Sequence, residues 1–363
     1  MKILFLTCST GGGHNSAAKA LAEEASSRGC SCTIKNTLDF VSFGRRIFIS
    51  KGHEVMYKYA PGLYGLLYDK SGEKSSVTAF KSFEHCAGKL HAYLMENGYD
   101  AVVCVHVFAA MMMTHVKKQF DNHVKFYLVA TDYSFTPGSS LTTPEKHFVP
   151  VGLSKEFAAH GIDRDLITET GIPVRKAFYE KTGKKEARES LDLNPDSVLI
   201  LLSAGSMGCG HLKRLAKSIA KITPQGNVAV LCGNNKRLHR QLSRKKNIMP
   251  VAFTTSVPQW FCAADVILTK AGGLTTTEAA ISETPLVIMN AVPGLEIHNL
   301  DFFENNHLAR CAHTRDMVCP MVEKALSDTP DTAYARKKKE STKIYFGSRA
   351  ASAIIDKVIE GTA

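Results

Sequence analysis

Two glycine turns and one histidine carry the chemistry this sequence can be asked to do. Val266 to Thr269 ends a short apolar run, Gly272-Gly273 follows, and Thr275 to Glu283 reads as a helix that stops before Pro285. Strand, glycine turn and helix in that order leave unpaired backbone amides and a positive dipole end facing one spot. With side chains missing there, a diphosphate can come close. Glu278 falls about one turn into the helix, placed to accept hydrogen bonds from a ribose diol beside the phosphates. The alternative is an ordinary β-α turn whose glutamate is solvated.

The second feature lies near the start of the chain. Thr10-Gly11-Gly12-Gly13 closes the apolar run Lys2 to Thr7, and His14 begins a helix that continues to Arg28. An imidazole at a helix start can accept the proton of an attacking hydroxyl at neutral pH, or donate to a phosphate, or do no chemistry at all. Asp132, in a turn after the strand Phe126 to Thr131, can orient that base, replace it, or merely cap the strand end.

The elements that position these groups follow one grammar. In the first half the pattern predicts strands at Lys2 to Thr7, Cys32 to Leu38, Ala101 to Val107, Phe126 to Thr131 and Lys146 to Val149. Helices are expected at His14 to Arg28, Phe80 to Asn97, Ala109 to Lys118 and Ser154 to His160, with an irregular aromatic insertion from Val41 to about Ser76. Thr170 to Lys185 reads as a link. The second half restarts with strand Val198 to Leu202, the turn Ser203 to Gly210, helix His211 to Ile222, and further alternation up to the Gly272 turn. Alternating strands and helices in both halves imply an α/β protein of two doubly wound parallel sheets with ligands at the strand carboxyl ends, so a cleft between the halves is the expected site. The expected domains are 1–175 and 190–335, with a last segment, 340–363, packing back on the first.

Composition narrows the class. The 363 residues suffice for two cores, and 44% hydrophobic with 22% charged residues describes an ordinary globular protein. No apolar run of about eighteen residues exists, and nothing reads as a secretory signal. Ten scattered cysteines without a C-x-x-C pair point to buried free thiols in a reducing cytoplasm. The net charge of +11 asks for an acidic partner: nucleic acid, a nucleotide-bearing substrate or an anionic membrane. Arg45, Arg46 and Lys51 are interleaved with Phe48, Tyr64 and Leu67, a mixture suited to lipid head groups. The runs 236–246 and 336–339 read as solvated helix faces, and nucleic acid lacks a binding module.

Several nucleotide folds are excluded by spacing. Gly11-Gly12-Gly13 and Gly205-Ser206-Met207-Gly208-Cys209-Gly210 both miss G-x-G-x-x-G, and no P-loop motif occurs. Asp39 lacks the glycine order that would make it a ribose-binding acid. Asp163-Arg164-Asp165 imitates a metal-holding D-x-D but sits in a charged turn beside Gly161. Amides and a helix end can take diphosphate charge without a metal, so neither metal nor cofactor is expected.

An ordered set of stretches resembles a known family. Gly11-Gly12-Gly13-His14 with Ala17-Ala18, His106 to Ala110, Thr131-Asp132-Tyr133, Thr170 to Arg175, Lys270 to Thr275 with Glu278-Ala279, and Pro293-Gly294 with Glu296 and Asn299 run in order over most of the chain. Together they resemble glycosyltransferase family 28, in its monogalactosyldiacylglycerol synthase and processive diacylglycerol glucosyltransferase branch. The resemblance implies a GT-B fold of two Rossmann-like domains, and metal-free inverting transfer of a hexose from a UDP-sugar. It also implies a lipid acceptor such as diacylglycerol, met at the cytoplasmic membrane face. It assigns Gly205, Ser206 and Gly208 to a phosphate-facing loop, and Gly272, Gly273, Leu274 and Thr275 to the diphosphate turn. Glu278 becomes the ribose partner, Glu296 and Asn299 the sugar-side motif. Gly12, Gly13 and His106 fall on the acceptor or phosphate side, with His14 and Asp132 as the catalytic pair.

Departures bear on the sugar and the acceptor. Leu295 stands where the family usually has glutamine, Val107 and Ala271 where it has proline, and Ser134 to Thr143 lacks the usual tryptophan and histidine. N-acetylglucosamine transfer to a polyprenyl-linked or soluble acceptor, and a nucleotide-sugar-binding protein without turnover, are the alternatives. The sequence leaves the sugar, the acceptor, the number of sugars added and the oligomeric state open.

Overall fold

The computed structural model describes residues 1–8, 12–42, 75–180, 182–203, 212–289 and 295–362. The chain divides into two units, chiefly Met1–Lys176 with Ser348–Ala363, and Ala177–Ala291 with Asn299–Gly347. The second unit thus begins before residue 190 and runs past 335. The Ala333–Phe346 helix falls within the second unit, and only the chain from Ser348 onward joins the first.

The first unit holds six parallel strands: β1 (Lys2–Thr7), β2 (Ser31–Asn36), β3 (Ala101–Cys104), β4 (Lys125–Val129), β5 (His147–Val149) and β6 (Ile167–Glu169). Their order is β2-β1-β3-β4-β5-β6. Side chains alternate across a strand, so β1 sends Ile3 and Phe5 to one face and Leu4 and Leu6 to the other. Both sets are wholly buried, as a parallel sheet covered on two sides requires.

On the Phe5 face, helix Gly12–Ser27 contributes Ala17 and Leu21, and helix Ala350–Thr362 contributes Ile354, Ile355 and Val358. The carboxyl-terminal helix is also tied down by polar contacts. Arg28 donates to Asp356 and, at 2.6 Å, to Ser352 Oγ, while Arg349 reaches Glu24 at 2.7 Å. Lys125 Nζ donates to the Gly361 carbonyl at 2.6 Å. The opposite face is covered by helices Ala87–Asn97 and Val107–Phe120.

The second unit repeats the design with β7 (Leu199–Ser203), β8 (Asn227–Gly233), β9 (Ile248–Ala252), β10 (Val266–Lys270), β11 (Leu286–Met289) and β12 (Arg310–Ala312), in the order β12-β11-β10-β7-β8-β9. Ile200, Leu202, Val228, Val230, Val266 and Leu268 form the centre of its core.

Three expectations change. The apolar run Ala101 to Val107 is a strand only to Cys104, because His106 caps a helix that begins at Val107. Phe80 to Asn97 is two helices, over 75–84 and Ala87–Asn97, broken by a turn at residues 85 and 86. The segment read as a link ends inside a helix, Lys184–Glu189, held by tertiary charge pairing rather than by an apolar stripe. Arg188, only 4% exposed, donates to the Ala263 carbonyl at 2.9 Å and to Asp265 at 2.7 Å. Asp265 also accepts from Lys184 and from the Leu199 amide. Burial pushes its carboxyl up, but the Lys184 and Leu199 hydrogen bonds and the charges of Lys184 and Arg188 outweigh this and hold it below the usual carboxylate range.

Nine cysteines among the described residues are free thiols, five of them buried. Burial alone drives the thiol of Cys104 far above its ordinary range, so it is inert. No helix among the described residues is long and apolar enough to cross a membrane. Likewise no group of three His, Cys, Asp or Glu side chains among them is arranged to hold a metal ion. Asp163, in the D-x-D imitation, spends its carboxylate on the Asp165 amide of its own short 3-10 turn.

Candidate active site

In the first unit, the helix Gly12–Ser27 starts just beyond β1, with Gly12, Gly13 and His14 half-buried in its first turn. The Nδ1 atom of His14 lies 3.0 Å from the Val105 carbonyl oxygen and 3.0 Å from Thr131 Oγ1. A carbonyl can only accept, so that contact requires the proton to be on Nδ1 and leaves the basic lone pair on Nε2. Neutral oxygens therefore set the tautomer here, in the position where a carboxylate would sit in a triad. Val105 belongs to the segment after β3 and Thr131 to the turn after β4, so the strand carboxyl ends aim the imidazole.

His106 is the complementary case. Its Nδ1 accepts from the Phe108 amide at 3.0 Å as the cap of the Val107–Phe120 helix, which puts its own proton on Nε2 in the neutral ring. The two rings meet edge to face, with centroids 4.7 Å apart and planes at 77°. One imidazole thus presents a lone pair at Nε2, and its neighbour an N–H.

Asp132 follows Thr131 in the same turn and is half-buried. The loop beyond it is fixed by Glu156, which accepts from the Phe135 amide at 2.7 Å. Gly138 holds the loop's far end at φ +89, where a Cβ would come within 2.4 Å of Met111 Cε.

In the second unit, β10 ends at Lys270 and helix Gly273–Ile281 starts directly after Gly272. The Gly272 N–H is used by the Lys270 carbonyl at 2.9 Å. The helix's first-turn amides are those of Gly273, Leu274 and Thr275, and the Gly272 amide is not among the donors that an anion at this turn would meet. Thr276 and Thr277, both buried, donate back to the carbonyls of Gly272 and Gly273 at 2.6–3.0 Å and stiffen the turn. Glu278 lies just over one turn in, half-buried.

Asn299, expected on the sugar side, is wholly enclosed and donates its amide to the Ala271 carbonyl at 2.9 Å. Its visible work is to brace the turn. Glu296 is half-buried in the Leu295–Asn305 helix. Gly205, Ser206 and Gly208 lie outside the described residues, as do the lipid-facing candidates Arg45, Arg46, Phe48, Lys51, Tyr64 and Leu67.

Three residues escaped the sequence reading. Thr131 and Lys270 figure there only as members of resembling stretches, and Phe253 only within the further alternation of strands and helices. Phe253 follows β9 at its carboxyl end with 65% of its surface exposed, an aromatic face where ligands of doubly wound sheets bind. The signal available for it was an aromatic residue directly after an apolar strand.

Residues 14–174 match the family model described as monogalactosyldiacylglycerol (MGDG) synthase, and residues 199–355 match the glycosyltransferase family 28 C-terminal domain. The chain is similar to the processive diacylglycerol beta-glucosyltransferase of Staphylococcus saprophyticus, 25% identical over 346 residues that cover 91% of this chain and 85% of the relative. The enzyme of the same description from Staphylococcus carnosus is 24% identical over 361 residues, covering 95% and 90%. Among solved structures, MurG of Acinetobacter baumannii superposes with a TM-score of 0.61 at 14% identity over 99% of both chains. Anabaena HepE in complex with UDP and glucose gives 0.60 at 15% identity, over 99% of this chain and all of the other. The two parallel six-stranded sheets are those of a GT-B fold.

Proposed function

The chain belongs to glycosyltransferase family 28, and from that premise we propose that it transfers a hexose from a UDP-sugar to diacylglycerol or a similar membrane lipid, inverting the anomeric centre without a metal. The observation that carries the chemistry is the imidazole of His14, pinned through Nδ1 by Val105 and Thr131 with its lone pair on Nε2. The acceptor oxygen gives its proton to that nitrogen as it attacks the anomeric carbon. The bond from that carbon to the diphosphate oxygen breaks, and its electron pair leaves with the nucleotide. The amides of Gly273, Leu274 and Thr275 receive the charge that builds on the diphosphate. Glu278 accepts from the ribose, and the Phe253 ring offers a stacking face to the base.

The lipid acceptor is supported by the match of residues 14–174, which include His14, to the MGDG synthase family model, and by the relatives' names. Peripheral attachment to the inner face of the membrane is supported by the basic balance of the chain. On the second unit, Lys236, His239 and Arg240 line a hollow of about 340 Å³. None of them has an acidic partner within salt-bridge distance among the described residues. The Lys236 and Arg240 cations suit an anionic surface.

The test is turnover in vesicles containing diacylglycerol, offered UDP-glucose, UDP-galactose and UDP-N-acetylglucosamine separately, with EDTA present. Mass spectrometry should find a hexosyl-diacylglycerol. Product only on a polyprenyl or soluble acceptor would replace the lipid assignment, and dependence on added magnesium would overturn the metal-free mechanism. UDP binding without any product would make the chain a binder.

A further inference from the structure

We propose that Glu156 is a positioning residue for the transfer step: through Phe135 it fixes the turn that carries Thr131, and so the direction in which the His14 imidazole points, which rests on the reading of His14 as the base. The stretch between β4 and β5 is irregular apart from the short 3-10 turn Ser139–Leu141. Connections of this kind are normally loose and exposed. Here Thr131, Tyr133, Ser134, Ser139 and Thr142 are buried, and side chains of two helices hold the backbone. Thr114 of the Val107–Phe120 helix accepts from the Thr143 amide at 3.1 Å, near the far end. Glu156 of the Ser154–Ala159 helix accepts from the Phe135 amide at 2.7 Å, a few residues past Thr131.

The Glu156 contact differs from that of Thr114 in two ways. Its acceptor is a carboxylate, so the bond is charge-assisted and about twice as strong as one between neutral groups. It is also one of three contacts on the same residue. The Phe135 ring stacks on His160, with centroids 4.1 Å apart and planes at 8°, and meets the buried Phe157 edge to face at 5.4 Å and 76°. His160 is fixed in turn, donating from Nδ1 to the Glu156 carbonyl at 2.9 Å. The helix that supplies this clamp is anchored to the sheet, because Glu169 of β6 accepts from the Ser154 amide at 2.9 Å.

The consequence falls on His14, whose Nδ1 is met by the Val105 carbonyl and by Thr131 Oγ1. One such contact lets the ring swing about it, whereas two set its direction. Val105 is placed by the sheet, since its amide donates to the Leu6 carbonyl at 3.0 Å. The last bond of this kind near Thr131, from the Ala130 amide to the Phe148 carbonyl at 2.9 Å, falls before it. Thr131 therefore takes its place from whatever holds the turn beyond. With the Glu156 carboxylate gone the hydroxyl drifts, and the imidazole regains its freedom of orientation and tautomer.

The experiment compares full-length wild type, Glu156→Ala, Glu156→Gln and Phe135→Leu by turnover and by nitrogen NMR of histidine-labelled protein, with His14→Ala identifying the His14 signals. Glu156→Ala should move those signals from the Nδ1-protonated form towards the mixture of a free imidazole. It should lower kcat about tenfold and leave the UDP-sugar KM within about twofold. Glu156→Gln keeps an oxygen for the Phe135 amide and should recover most of the loss. Phe135→Leu keeps the amide but loses the ring contacts, and should fall between. Unchanged His14 signals in Glu156→Ala would overturn the proposal whatever happened to kcat, because the residue would then act on something other than the imidazole. Should that variant not fold, unchanged signals in Phe135→Leu would overturn it instead. Displaced signals beside a fully active His14→Ala would uphold the link from Glu156 to His14 and overturn the base reading alone.

Discussion

Asn299 donates its side-chain amide from 2.9 Å to the carbonyl of Ala271, and neither the asparagine nor the alanine has any exposed surface. This bond holds the residue immediately before the Gly272 turn, so its loss leaves a buried carbonyl without its donor. Asn299→Ala should cost about 1–3 kcal/mol in urea unfolding. It should also weaken UDP, because the turn loses its brace. An unfolding midpoint equal to wild type would assign Asn299 to the ligand instead.

Thr131 and the Val105 carbonyl share the Nδ1 edge of His14. His14→Ala should lower kcat by about two to four powers of ten, with UDP affinity retained. Thr131→Val removes one oxygen and keeps the shape. It should lower kcat several-fold with KM nearly constant and displace the pH profile of kcat, and Thr131→Ser should restore both. Full activity of His14→Ala would pass the base role to Asp132.

Gly272→Ala separates the needs of the fold from those of the ligand. Among the described residues the space, and at Gly272 the backbone angles, accept a methyl group, so thermal unfolding should match wild type to within about 0.5 kcal/mol. The donor KM should rise about tenfold or more, because the methyl group occupies the phosphate's approach. A large loss of stability with normal KM would reverse this account.

His147 is 3% exposed on β5, and its Nδ1 has no hydrogen-bond partner among the described residues. Burial lowers its pKa from 6.5 to about 4. The unfolded chain therefore binds a proton between those values that the folded chain refuses. The stabilising difference is fully present above about pH 6.5 and erodes as pH falls towards 4, by roughly 3 kcal/mol in all. Urea titrations at pH 7 and pH 5 should show the slope, and His147→Gln should flatten it. Equal slopes would mean that other groups govern acid sensitivity.

Strong local signals made much of this legible in the sequence. The run Lys2 to Thr7 and the helix after it, and the Val266 run with its glycine turn, have hydrophobic patterns and turn residues that agree with their tertiary setting. What stayed hidden depends on distant partners. The strand Ile167–Glu169 has three residues, too few for any period to show, and exists because β5 pairs with it. The helix Lys184–Glu189 has Ala187 as its one apolar residue and forms where Asp265 can gather Lys184 and Arg188. The capping role of His106 was hidden by its apolar neighbours, since histidine is an uncommon cap and Val107 extends the strand-like run.

The helix Ala350–Thr362 sets an order on the making of this protein. It covers Ile3 and Phe5 with Ile354, Ile355 and Val358, so a ribosome must make the chain from β1 through Thr362 before that sheet gains this neighbour. Throughout translation that flank of the sheet stays sticky. Expression of residues 1–176 alone would yield aggregates, whereas the same segment supplied with a separate Ser348–Ala363 peptide should be rescued by it.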